Sequence, residues 1–309
     1  MNLRNKALII AILFAALDAA SQAQAPRPLR TFTVVSEPGA SVWLGSVFFG
    51  VTDSSGRLKI RTAAPGVRTV RVRAAGFSEA SARLLPAHRG DLTVKLTPTN
   101  DEAELAFQEG ERQSVLDRAK AIAAYRKAIS IDPKLVRAHL ALARNLAETG
   151  DADAALKVLG DVKKISPRNA EASAIEGRIY KDVAEEAKAI SSFKRAIVEG
   201  RGFQPEAYTG LGLLYKEKAE VLEDSDPAGS EKAFDEAAKN LSIAVDQLSG
   251  APDATIIMQL LGLIYEKRKR YNEAIAIYQE FLRLFPDSVE AEAVRSFIVQ
   301  IRKEIARDQ

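Results

Sequence analysis

The chain has 309 residues, 47% of them hydrophobic and 28% charged, a composition that excludes wholesale disorder and leaves room for two modules. With no cysteine, disulfides, thiol nucleophiles, cysteine zinc sites and cysteine-linked lipids are all excluded, so stability has to come from packing. The net charge of +3 is unevenly shared: residues 26–99 carry 11 basic against 4 acidic side chains, and residues 100–309 carry 31 against 36.

The first residues read as an export signal. Arg4 and Lys6 precede an apolar run from Ala7 to Leu17, and small residues at Ser21, Ala23 and Ala25 offer cleavage sites. The expectation is a signal peptide over residues 1–23, cut after Ala23 because the later site leaves Pro26 just beyond it. The apolar run is too short for a membrane helix, which needs about 17–25 residues. A periplasmic or secreted protein follows, with no transmembrane span once the signal is removed, although retention of the segment as an anchor is the other outcome.

From residue 29 to residue 97 the pattern has a period of two. Leu58 and Ile60 alternate with Lys59 and Arg61, Val70 and Val72 with Arg71 and Arg73, and Leu92, Val94 and Leu96 with Thr93, Lys95 and Thr97. Turn residues at Pro38-Gly39, Gly45, Gly50, Ser54-Ser55-Gly56, Pro65-Gly66, Gly76 and Arg89-Gly90 separate the runs. Six or seven short strands in so few residues imply a small antiparallel β-sandwich. The order Glu37-Pro38-Gly39-Ala40, Val42, Leu44, Gly50-x-Thr52, Pro65-Gly66 and Gly76-Phe77 resembles the PEGA family of bacterial envelope domains, with the first two letters of its Pro-Glu-Gly-Ala motif exchanged. Trp43, the single tryptophan, points away from Val42 and Leu44, so it is either exposed or covered by the next module. Only one of the adjacent Phe48 and Phe49 can face the core.

Thr97-Pro98-Thr99-Asn100 is a short turn-forming linker, and Asp101 with Glu104 forms a capping-box pattern at the start of a helix. From residue 102 to 288 a helical pattern recurs every 34 residues, as at Ala121, Ala155 and Ala189, at Tyr125, Leu159 and Phe193, and at Pro133 and Pro167. This pattern resembles the tetratricopeptide repeat (TPR) family, whose unit is a helix hairpin. The resemblance implies about five repeats forming an all-α solenoid that binds proteins. The first helix of repeat one is the weakest match, with Gln108, Glu109 and Arg112 at ordinarily apolar sites. The alanine of repeat four arrives at 237 instead of 224, a thirteen-residue insertion near 216–229 that includes the acidic stretch Glu223-Asp224-Ser225-Asp226. An amphipathic segment at 289–309 should cap the open end. The expected fold class is multidomain α and β, a sandwich followed by a solenoid.

In the TPR family the first helices of successive repeats line a concave groove. The resemblance assigns to that groove Arg137, Leu140 and Arg144 of repeat two, Arg178 and Lys181 of repeat three, Leu213 of repeat four, and Ile256 and Leu263 of repeat five. Positions occupied by Lys and Asn in the chaperone-binding subgroup hold Leu140, Ala174, Arg144 and Arg178 here, so its carboxylate clamp is not expected. Arg144 and Arg178 should be neighbours, and with the apolar side chains they suit a protein segment carrying acidic and apolar residues. Recognition of a cell-wall glycan by Trp43 is the alternative.

Catalytic chemistry has little support. His88 and His139 are the only histidines, and neither belongs to a nucleophile or metal motif. His139 falls at a packing position and His88 in an exposed turn. No catalytic residue, metal ligand or cofactor is assigned, and an acidic exported array is a poor match for nucleic acid.

Overall fold

The computed structural model describes residues 28–64, 66 and 68–307, so the leader, Pro65 and Val67 lie outside it. Among the described residues nine strands come first: β1 (Arg30–Val35), β2 (Ser41–Leu44), β3 (Val47–Val51), β4 (Arg57–Thr62), β5 (Arg68–Arg73), β6 (Phe77–Ser78), β7 (Ala80–Leu84), β8 (Gly90–Thr93) and β9 (Thr97–Pro98). They form a three-stranded sheet of order β4-β1-β8 facing a four-stranded sheet of order β3-β2-β5-β7. The alternation explains the two layers, because Phe32, Val34, Val42, Leu44, Phe49, Ile60, Val70 and Val72 all turn inward and are buried.

Two details depart from expectation. β1 and β8 run parallel, with Phe32 opposite Gly90 and Val35 opposite Thr93, so the sandwich is antiparallel everywhere but at this pair. The expected linker is tied down: Thr97–Pro98 pairs with Phe77–Ser78, and the Thr99 amide donates to the Gly76 carbonyl at 2.9 Å.

Eleven helices follow: α1 (Glu102–Ser114), α2 (Arg118–Ile131), α3 (Val136–Glu148), α4 (Ala152–Ile165), α5 (Ala170–Asp182), α6 (Glu186–Glu199), α7 (Pro205–Leu222), α8 (Pro227–Leu248), α9 (Ala254–Lys267), α10 (Tyr271–Leu284) and α11 (Ala291–Arg307). Asp101 caps α1 by accepting from the Ala103 and Glu104 amides. Only half of the capping box forms, because Glu104 turns away to accept from Gln108 and pair with Arg137, and the Asp101 amide donates to Thr99 instead.

Within each hairpin a small residue lies against a large one. A Cβ built on Gly177 would come within 2.6 Å of the Phe193 ring, and one on Gly262 within 2.4 Å of the Tyr278 ring. In the first hairpin the residue against Tyr125 is Gly110, one position later than the repeat spacing implies. That shift frees Gln108 from the hairpin core. The insertion lengthens helices: α7 has 18 residues against 13 in α5, and α8 has 22 against 14 in α6, together accounting for the thirteen. Its acidic stretch supplies the cap of α8, where Asp226 accepts from the Gly229 amide.

The sandwich docks onto the array at two places far apart in sequence. Near the front, Gln108 of α1 donates to the Phe77 carbonyl and accepts from the Gly76 amide, both at 2.8 Å. Near the rear, the Thr62 hydroxyl donates to the Ser249 carbonyl at 2.6 Å and the Ala63 amide to the same oxygen at 3.1 Å. Gly250 makes this approach feasible. Its φ of +94° is left-handed, and a Cβ there would meet the Arg61 carbonyl at 2.8 Å. One continuous apolar core therefore runs from the sandwich into α8, α9, α10 and α11, whereas α1 to α7 carry mostly two further clusters.

Candidate partner-binding cleft

Docking at both ends turns the outer face of β2, β3 and β5 toward the inner wall of the array. Between them lie two cavities of about 950 and 920 Å³. Trp43, Phe48, Arg71 and Arg73 form one wall of the larger. The opposite wall comes from α3 (Arg137, Leu140, Arg144), α5 (Arg178, Lys181) and α7 (Glu206, Leu213).

Trp43 is half-buried and packs against Phe48, their rings inclined by 55° with centroids 5.5 Å apart. The guanidinium groups of Arg71 and Arg73 lie 5.5 and 4.9 Å from its ring centre. Phe49 takes the inward direction and leaves Phe48 38% exposed. Arg73 also pairs with Glu79 at 2.9 Å and Glu111 at 2.5 Å, which links β5 to α1. Burial works against the Glu111 carboxylate and raises its pKa despite the nearby Arg73.

The arginines expected to act together have different surroundings. Arg144 donates two hydrogen bonds to Glu206, at 2.9 and 2.8 Å, and a third to Glu171 at 3.1 Å. Burial alone would raise the Glu206 pKa, but the Arg144 charge and its hydrogen bonds hold it below the usual carboxylate range. Arg178 is half-buried, near enough to Glu206 to act on its charge, yet its Nη2 is buried without a hydrogen-bond partner.

Arg137 lies over the Phe107 ring at 5.2 Å and pairs with Glu104, and Lys181 pairs with Asp182 at 3.3 Å. Leu140 is buried and Leu213 half-buried at the cavity wall. Ile256 and Leu263 do not line it. They are 74% and 54% exposed on α9, whose Ile257 lines the larger cavity.

Neither histidine lines either cavity. The ring of His139 is within hydrogen-bond distance of the Pro133 carbonyl at 3.0 Å. His88 is half-buried, not fully exposed, with its ring edge-on to Phe32 at 6.3 Å. Gln108 is the contact that the sequence reading missed, although a polar residue at an apolar repeat position was the available signal.

Two stretches, residues 106–179 and 226–289, match tetratricopeptide repeat family models, so the chain carries TPR repeats. No curated protein matches the sequence. Among solved structures, yeast Tom70 is similar over 66% of this chain and 41% of its own, at 16% identity and a TM-score of 0.53, a likeness of fold alone. A MamA protein aligns over 63% of this chain and 96% of its own at 22% identity and a TM-score of 0.42. The thermophilic TPR protein TTC0263 of Thermus thermophilus aligns over 64% and 98% at 18% identity and a TM-score of 0.47.

Proposed function

We propose that this chain is an exported, non-enzymatic adaptor that holds a segment of a partner protein against the inner wall of its TPR array. The observation carrying this reading is the cavity of about 950 Å³ bordered by the first helix of every repeat, with Leu140 and Leu213 supplying apolar contacts and Arg178 a cation. TPR repeats generally mediate protein–protein interaction, and nothing in the cavity resembles a nucleophile with its base. The export half of the reading rests on the basic and apolar leader. The resemblance of the turn motif at 37–40 to PEGA domains supports placement in the bacterial envelope.

A crosslinking pull-down of the mature protein tests the interaction. Arg178→Glu and Leu213→Glu should each deplete the captured partner, whereas Arg144 is unsuitable because it holds Glu206. Capture unchanged in both variants removes the inner wall as the binding surface. Export is tested separately by fusing residues 1–30 to a reporter active only outside the cytoplasm, and an inactive fusion refutes it.

A further inference from the structure

We infer that the sandwich and the helical array form a single binding site, one that selects a polypeptide segment by pairing its carboxylate with Arg178 and its apolar side chain with Trp43 and Phe48. The inference rests on the adaptor reading and specifies what such a partner presents.

The first observation is continuity. Trp43, Phe48 and Arg178 line the same larger cavity, and the smaller one adjoins it, sharing Trp43, Phe48, Arg73, Glu111, Ala141 and Arg144. The aromatic surface and the repeat groove, which the sequence offered as separate alternatives, face each other across this cleft. Any chain lying along it touches both.

The second observation is charge. Of the basic side chains in the larger chamber, Arg71 and Arg73 share Glu79, Arg73 also reaches Glu111, Arg137 has Glu104, Arg144 has Glu171 and Glu206, and Lys181 has Asp182. Arg178 differs: among the described residues it makes neither an ion pair nor a hydrogen bond and acts on Glu206 only through its charge, and its Nη2 is buried and unmet, whereas Arg137, whose Nε is also unmet, keeps Glu104. Leaving a buried donor without an acceptor is unfavourable, and an incoming carboxylate supplies the acceptor. With one such cation, the cleft suits one acidic group and offers little to a polyanion.

The third observation is apolar exposure. Phe48 is joined at the smaller chamber by Val115 and Leu116 of the α1–α2 loop, which are 84% and 69% exposed. Val115 and Leu116 bury little within the chain, so a partner's apolar residue is the contact that would cover them.

A random peptide library displayed on phage, panned against the mature full chain, reads the preference directly. Selected peptides should combine an Asp or Glu with an aromatic or branched aliphatic residue. Arg178→Met should weaken them at least about tenfold and abolish the preference for an acidic residue, while Trp43→Leu should weaken them similarly and abolish the apolar preference. Circular dichroism and elution volume report whether each variant is folded, and Phe48→Ser replaces Trp43→Leu if the latter is not. Peptides that bind but ignore Arg178 and the aromatic pair, while losing affinity in Leu213→Glu, would leave the adaptor reading standing and overturn the composite site. Failure to select any peptide would overturn both.

Discussion

Replacing Arg73 with Met should loosen the joint between the modules while keeping most of the aliphatic bulk. The guanidinium pairs with Glu79 and Glu111 and lies 4.9 and 5.0 Å from the ring centres of Trp43 and Phe107. Hydrogen bonds to charged partners contribute about 1.5–3 kcal/mol each. The full value applies best to Glu79, since 36% of the Glu111 side chain still meets solvent and its share falls toward the roughly 0–1 kcal/mol of exposed pairs. Each cation–π contact adds about 0.5–1 kcal/mol, part of which methionine's own contact with aromatic rings restores. The expected loss is about 3 kcal/mol, or roughly 6–12 °C at about 2–4 °C per kcal/mol. Trp43 is the only tryptophan, so its fluorescence reports on this joint alone. The variant should show emission shifted to longer wavelength before global unfolding and a lowered thermal midpoint by circular dichroism. An unchanged emission maximum together with a midpoint within a degree of wild type would refute the assignment of Arg73 as the joint.

Truncating Phe193 to Ala should cost about 3–5 kcal/mol, and Gly177→Ala, whose Cβ would meet the same ring at 2.6 Å, about 1–3 kcal/mol. Urea titrations should rank the two in that order, and the reverse order would show that the hairpin tolerates less bulk than its geometry implies. Glu206, held below its ordinary pKa by Arg144, adds stability that is full above the unfolded carboxylate pKa and declines as pH falls through the folded one. Glu206→Gln should therefore lower the thermal midpoint at neutral pH, by an amount equivalent to about 2 kcal/mol, and make it less sensitive to acid. Parallel curves for the two proteins from neutral to acid pH would contradict this.

Much of the helical array was legible because each hairpin repeats the same local solution. The small residue at 177 or 262 and the ring sixteen positions later are close in sequence, so spacing alone reveals the pair. The outward direction of Trp43 followed from strand alternation in the same way. Contacts between distant segments carry no such signature. Nothing periodic connects Thr62 to Ser249, 187 residues later, or β1 to its parallel neighbour β8. The Glu206 partner of Arg144 in the cleft is likewise distant in sequence. Groove positions named Arg144 and Arg178 alike, but only the fold brings Glu206 to one of them, 62 residues away, and leaves the other with an unmet nitrogen. Gln108 shows that a mismatch can be informative: it fails as a repeat residue because it serves the neighbouring module.

The grip of the sandwich on both α1 and the α8–α9 turn has a consequence for how this protein can vary. An open solenoid can gain or drop a hairpin and simply become longer or shorter. Here the helices between the two grips must span a fixed gap, like the links of a fastened bracelet, so removing one hairpin would pull Ser249 off Thr62. Natural and engineered changes of length should therefore be punished between α1 and α8.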